Sequence, residues 1–369
     1  MEYTAMDQYW IWLSSVEGIG PKRFYQLLSL YEDARSVWDA LGGVLTPPDM
    51  KVLGPQTLEK LRAARDAQYF YRLFDRLDRA GIRAVTRLDD GYPAPLTGIY
   101  DPPPTLYMRG AGDLNAARAV AVVGSRRCTR DGQRAAHEFS RGLAENGVTV
   151  VSGLARGIDS CAHRGALDGH GPTVAVLGCG VDIAYPPENR ALMDEIIDSG
   201  GAVISEYMPG TPPNAGNFPA RNRIISGMCS GTLLVEGAKA SGAMITVNQA
   251  LEQGRDVFAI PGGIYSPLSD APNRMILDGA IPVLCHWDIL EYYRWGQRPS
   301  ERPARTAAPV ALDPEEAAVV SPLREQALSF EELIRATGFS AAKLNSHLTM
   351  LELRGIIEKV PGGEYRAYT

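Results

Sequence analysis

The chain has 369 residues, 45% of them hydrophobic, with a formal net charge of −6 and five cysteines. That size and apolar content call for two or three domains with substantial cores, and no apolar run reaches the roughly 20 residues that a membrane span needs. The negative balance excludes a histone-like protein coated in positive charge while leaving room for a local basic groove. The acidic and aromatic start, Met1 to Trp10, lacks the charged-then-apolar pattern of a signal peptide, so a cytoplasmic location and no membrane partner are expected. Cys128, Cys161, Cys179, Cys229 and Cys285 are scattered without a C-x-x-C pair, and they read as small apolar residues rather than a disulfide framework or a metal site.

In chain order, short helices are predicted over 7–15, 21–30 and 34–40, then a longer amphipathic run over 56–80 that Gly81 stops. Between the first two, Val16-Glu17-Gly18-Ile19-Gly20-Pro21-Lys22-Arg23 has the glycine pattern of a helix-hairpin-helix turn, which brings backbone N–H groups to a phosphate or simply makes a tight corner. A proline-rich connector follows, from Tyr92 to Pro104. The N-terminal helical domain and this connector are placed at 1–110.

From 111 to 297 apolar β-like runs (119–123, 148–151, 173–177, 202–205, 232–235, 257–260 and 281–284) alternate with helical patterns such as 131–146 and 242–253. This is the signature of an α/β domain with a Rossmann-like, doubly wound, mostly parallel sheet. Residues 298–313 are rich in Pro, Arg and Ala without periodicity and read as a linker. Residues 314–369 read as a winged helix whose recognition helix offers only Lys343, Asn345, Ser346, His347 and Arg354, which fits a DNA reader or a protein-docking module.

Five phrases stand out in the central domain: Val123-Gly124-Ser125-Arg126, Ser152 through Asp159, Phe218 through Arg223, Gly231 through Glu236, and Pro261-Gly262-Gly263. Most lie at strand ends, where an open α/β sheet puts its ligand crevice. The first glycine turn carries Arg126 and then Thr129 where a dinucleotide needs bare backbone, so no NAD or flavin, and no other cofactor, is expected. Arg127, Arg130, Arg134, Arg141, Arg156 and Arg164 add local positive charge suited to phosphate, or form solvated helix faces. Asp159 reads as the N-cap of the helix after the second strand, with His163 one turn on, and the two need no chemistry to explain them. Phe218 followed by Arg221-Asn222-Arg223 fits a ring that stacks a base beside cations that hold the backbone, or a ring that plugs the core.

Taken together, Gly124-Ser125-Arg126, Ser152-Gly153-x-Ala155-x-Gly157-Ile158-Asp159, Phe218-Pro219-x-Arg221-Asn222-Arg223-Ile224-Ile225-Ser226-Gly227, Glu236, Ser241-Gly242-Ala243-x-x-Thr246 and Pro261-Gly262 closely resemble the DNA-processing protein A (DprA/Smf) family over about 120–285. The resemblance implies a SAM-like N-terminal domain and a C-terminal winged helix. It also implies a non-enzymatic protein that binds and protects single-stranded DNA and loads the recombinase RecA onto it in natural transformation and recombination. It implies a homodimer through the Rossmann-like domain, with the surface for self-association and RecA around 264–293. Carried to matching positions, the DNA site comprises Ser125, Arg126, Ser152, Gly153, Phe218, Arg221, Asn222 and Arg223, with Gly242 and Thr246 as further lining, and no catalytic residue. Some members use lysines near the pocket, whereas Lys239 is the nearest here. Duplex binding stays open.

Two rival readings remain. Phosphoribohydrolases that cleave nucleoside monophosphates also carry Pro-Gly-Gly and Gly-Thr, but here the order of the two is reversed and widely spaced, so Glu236 does not map onto their catalytic glutamate. A ligand-sensing transcription factor would need a more basic recognition helix than 341–354 provides.

Overall fold

The computed structural model describes residues 3–43, 47–298, 312–354, 356–359 and 364–367. The chain forms two compact units, Met1–Arg298 and Pro299–Thr369.

The first unit opens with five helices, α1 (Ala5–Ser15), α2 (Pro21–Leu30), α3 (Ala34–Ala40), α4 (Pro47–Ala64) and α5 (Ala67–Arg79). Thr4 and Asp7 start α1 with a reciprocal capping box. Trp12, Leu13, Phe24, Leu27, Leu61 and Leu77 are buried together in one cluster that also takes in Tyr107 from the sheet. The run expected over 56–80 is two helices, because the Asp66 carboxylate accepts the Tyr69 N–H and caps a new start.

The sheet has nine strands, β1 (Arg83–Thr86), β2 (Thr105–Gly110), β3 (Ala119–Val123), β4 (Thr149–Ser152), β5 (Thr173–Val176), β6 (Ala202–Ser205), β7 (Gly231–Leu234), β8 (Asp256–Ala259) and β9 (Ile281–Pro282). Their order is β1-β2-β6-β5-β4-β3-β7-β8-β9. Strands β3 to β9 pair in parallel, and β1 and β2 add to the β6 edge antiparallel. The segment read as a helical domain plus connector thus contributes two strands to the sheet. The connector's prolines sit between them, and the Trp10 indole N–H donates to the Pro104 carbonyl at 2.6 Å. No Pro lies inside either strand, so the ladder is intact.

Helices α6 (Arg130–Glu145), α7 (Ile158–Asp168), α8 (Arg190–Asp198), α9 (Asn217–Gly227), α10 (Gly242–Glu252), α11 (Asp270–Leu277) and α12 (His286–Tyr292) cover the faces of the sheet. All of β3 is buried, as expected of a strand covered on both sides. The chain leaves β3 toward β6 on one side and returns to the other side at β7, so the switch point lies between β3 and β7. The crevice beyond their C-terminal ends is where such a sheet holds ligands.

In the second unit α13 (Pro314–Glu325), α14 (Phe330–Thr337) and α15 (Ala341–Leu353) pack on a three-stranded sheet of β10 (Leu328–Ser329), β12 (Glu364–Ala367) and β11 (Ile357–Lys359), in that order. This is a winged helix, with Gly338 ending α14 in the left-handed conformation. The turn expected around Pro361-Gly362-Gly363 lies outside the described residues, as does most of the predicted linker. Among the described residues no helix is long and apolar enough to cross a membrane, and no group of His, Cys, Asp and Glu has the arrangement of a metal site.

Candidate nucleic-acid interface

The site begins where β3 ends. The Ser125 N–H donates to the Glu236 carbonyl at 2.8 Å, and the Ser125 carbonyl accepts from Ile158 N at 3.2 Å. Thr129 then caps α6 by accepting from Gly132 N, and both its own N–H and its hydroxyl donate to the Glu236 carboxylate at 2.9 and 2.5 Å. Glu236, just beyond the end of β7, therefore staples the 124–129 loop across the switch point. Gly157 closes the other side: its φ is +75°, and a Cβ there would lie 2.4 Å from the Ser125 carbonyl oxygen. A side chain would be strained and would push that loop outward.

The floor is built from β4, β5 and α9. Leu154, fully buried with φ +55°, turns the chain off β4, and Asn189 holds that turn by donating to its carbonyl at 2.9 Å. The Arg221 guanidinium reaches under the cleft and donates to the Gly153 carbonyl at 2.8 Å and to the Val176 carbonyl. Arg221 is only 4% exposed, and burial lowers its pKa to about 10, with Asp159 opposing that shift. Burial raises the Asp159 carboxyl above its ordinary value, against the pull of Arg221 and the Ala155 N–H. Both shifts oppose charge, so desolvation outweighs mutual attraction in this pair. Gly153 fits between them, since a Cβ would come within 2.6 Å of Arg221 Nη2 and 2.7 Å of Asp159 Oδ2.

Behind the floor, His163 is fully buried and burial pushes its pKa down to about 3. The Thr173 hydroxyl already donates to the Val150 carbonyl, so His163 Nδ1 is the N–H that donates to Thr173 Oγ1 at 2.8 Å. The imidazole is neutral and structural.

Above the floor lies an open cleft of about 730 Å³. Arg126 stands exposed at its mouth with its guanidinium 5.7 Å from the Phe218 ring centroid, and the Tyr185 ring stacks on Phe218 at 5.2 Å and 26°. The lining acid, Asp159, is balanced by Arg221, which leaves Arg126 and Arg127 as two uncompensated cations in the wall. Neither has an ion-pair partner among the described residues. Other arginines of the predicted basic stretch are committed: Arg134 to Glu138, Arg141 to Glu145, Arg156 to Glu188 and Arg164 to Glu195. These are solvated surface pairs rather than a groove.

Of the residues singled out in the sequence, Ser125, Arg126, Phe218, Arg221, Asn222, Gly242 and Thr246 line the cleft, and Gly153 lines a recess beside it. Ser152 does not: it is fully buried and its hydroxyl donates to the Val122 carbonyl at 2.7 Å. Arg223 does not either. It projects from the opposite side of α9, forms a bidentate pair with Glu206 at 2.7 and 2.9 Å, and meets Asp101 at 2.9 Å. Asp159 is not an N-cap, because Gly157 holds that position and Asp159 lies inside the first turn of α7. Sequence reading missed Tyr185, and it counted Arg127 among the basic stretch without placing it in the DNA site. The hairpin at Gly18 lines a separate cleft of 820 Å³ that also contains Glu17, Asp101 and Glu206. In the second unit Lys343 and His347 pair with Glu315, and Arg354 pairs with Glu316, so α13 acids neutralise the basic side chains of α15 and its C-cap.

Known proteins share this architecture. A sequence model described as DNA recombination-mediator protein A matches residues 83–294, and one described as the DprA winged helix domain matches residues 303–363. DNA processing protein DprA of Streptococcus pneumoniae is 46% identical over 208 residues, covering 56% of this chain and 73% of that protein. Protein Smf of Synechocystis is 31% identical over 97% of this chain and 98% of its own length. The X-ray structure of the Streptococcus pneumoniae protein superposes with a TM-score of 0.65 at 36% identity, covering 79% of this chain and 98% of that one. The structure of Helicobacter pylori DNA processing protein A, described for its single-stranded DNA binding mode, gives 0.53 at 27% identity over 58% of this chain and 97% of its own. With more than half its length matched by one family model, the chain belongs to the DNA recombination-mediator protein A family, whose members carry the names DprA and Smf.

Proposed function

We propose that this protein binds single-stranded DNA in the cleft at the β3–β7 switch point, without catalysing a reaction on it, and delivers the strand to the recombinase RecA. The observation that carries this reading is the pairing of two uncompensated cations, Arg126 and Arg127, with the Phe218 and Tyr185 rings in one open cleft. Cations hold a flexible backbone, rings accept any base, and the combination favours a single strand with little sequence preference. The Helicobacter pylori structure supports the same ligand class. Against the hydrolase alternative, the Glu236 carboxylate is taken up by Thr129, and Asp159, the acid among the described lining residues, accepts from the Ala155 N–H and feels the Arg221 charge.

Self-association is part of the proposal. Ile264, Tyr265, Leu277 and Leu284 are each more than three-quarters exposed, and they come from β8, α11 and β9 surroundings at one edge of the sheet. Exposed apolar side chains on the elements of one sheet edge suit an interaction surface, and two cleft-bearing copies on one strand gain affinity by avidity. The ion pairs on α15 favour strand binding in the first unit rather than the winged helix. Delivery is tested by following RecA ATPase on single strands precoated with single-strand-binding protein. A shortened lag in the presence of this protein supports the reading, and an unchanged lag despite tight strand binding refutes delivery.

A further inference from the structure

Phe218 is the ring that the sequence offers for base stacking, yet its surroundings leave it little room. Tyr185 stacks on it, the Arg126 guanidinium lies over it, and its edge rests against Gly178, where a Cβ would come within 2.9 Å of Cδ1. The recess that Phe218 shares with Gly153 and Arg221 measures about 30 Å³, room for water but not for a base. Tyr185 lines the same recess and cleft but is the more open ring, 38% exposed where Phe218 is half-buried. Among the described residues its hydroxyl has no hydrogen-bond partner.

The loop that presents Tyr185 is fixed. Gly180 N donates to the Thr211 carbonyl at 2.9 Å, the Asp182 carboxylate accepts from Gly210 N at 2.7 Å, Ala184 is buried, and Pro186 and Pro187 follow. A ring held in place before the ligand arrives loses little freedom on binding.

We propose that Tyr185 is the stacking platform for a base of bound single-stranded DNA, with Phe218 as its support and Arg126 as the cation that takes the adjoining phosphate. This rests on the strand-binding reading above and assigns the stacking to one of its two rings. It makes base stacking and phosphate binding separable, because Tyr185 contributes no charge and Arg126 supplies one of the two free cations.

The test uses the full chain with labelled oligo-dT and with a backbone of abasic sites. Tyr185→Ala is expected to weaken oligo-dT binding about tenfold with an unchanged salt slope, to leave abasic binding at the wild-type level, and Tyr185→Phe to restore affinity. Tyr185→Trp is expected to place a fluorophore that oligo-dT quenches and the abasic strand does not. If Tyr185→Ala binds oligo-dT like wild type, or Tyr185→Trp is not quenched, while Arg126→Glu still abolishes binding, the stacking role is wrong and the cleft reading stands. If Arg126→Glu also binds normally, the cleft reading itself fails.

Discussion

Arg221 is the residue for which the structure most changes the expectation, and Arg221→Met tests the change. As a DNA ligand, Arg221 would affect binding and leave the fold alone. As the floor of the cleft, its loss orphans the Gly153 and Val176 carbonyls and strands a buried Asp159. Leaving a buried carboxylate without the guanidinium that offsets its charge costs up to about 3–5 kcal/mol, the upper end being that of a directly contacting pair. Asp159 limits that cost by taking a proton, since burial already raises its pKa. At roughly 2–4 °C per kcal/mol for a unit of this size, the first thermal transition should fall by about 10 °C. Removing the stranded charge as well, in Asp159→Leu/Arg221→Met, should recover about 2 kcal/mol. Differential scanning calorimetry reads both. An Arg221→Met protein that melts like wild type yet loses DNA binding would refute the structural role and return Arg221 to the ligand set.

His163 gives a pH signature: its folded pKa near 3 lies below the ordinary value of 6.5, so its contribution is complete above pH 6.5 and is lost as pH falls toward 3. At about 1.4 kcal/mol per pH unit the loss between pH 6.5 and 5 is about 2 kcal/mol, and urea denaturation of His163→Gln should lack that slope. Gly157→Ala should leave the sheet folded by circular dichroism but displace the 124–129 loop, weakening oligo-dT binding at least tenfold; wild-type affinity would mean that the loop position does not matter. Leu277→Asp combined with Leu284→Asp should turn a dimer into a monomer by analytical ultracentrifugation, with loss of avidity on long strands but little change on a short one.

The sheet and the position of the cleft were legible because short β-branched runs alternate with helices, and glycine-rich phrases follow the strand ends. The strands β1 and β2 were not, since they flank a proline-rich stretch that reads as a connector and the β6 strand that β2 joins lies far along the chain. The arginines divide by helix geometry. Arg221 and Asn222, three and four residues after Phe218, share its face of α9, whereas Arg223, five residues on, points away. That periodicity was a usable signal. Whether Arg221 ends in solvent or under the floor was not, because it depends on the Gly153 and Val176 carbonyls being left open by β4 and β5. Ser152 belongs to the DNA site that the family resemblance implies, but it is fully buried and strand alternation turns its hydroxyl inward to Val122. Tyr185 carried a weak sign, an aromatic beyond the end of β5 on the same edge of the sheet.

The central claim is that Arg126 holds DNA phosphate at the switch-point cleft. Fluorescence anisotropy of oligo-dT and a matched duplex across a salt series, with wild type and Arg126→Glu, tests it most directly. Wild type should bind the single strand tightly, with log K falling as log salt rises, and Arg126→Glu should bind at least tenfold more weakly, with a slope flatter by about 0.7 for each phosphate no longer neutralised. Equal affinity and equal slope for the two proteins would contradict the account.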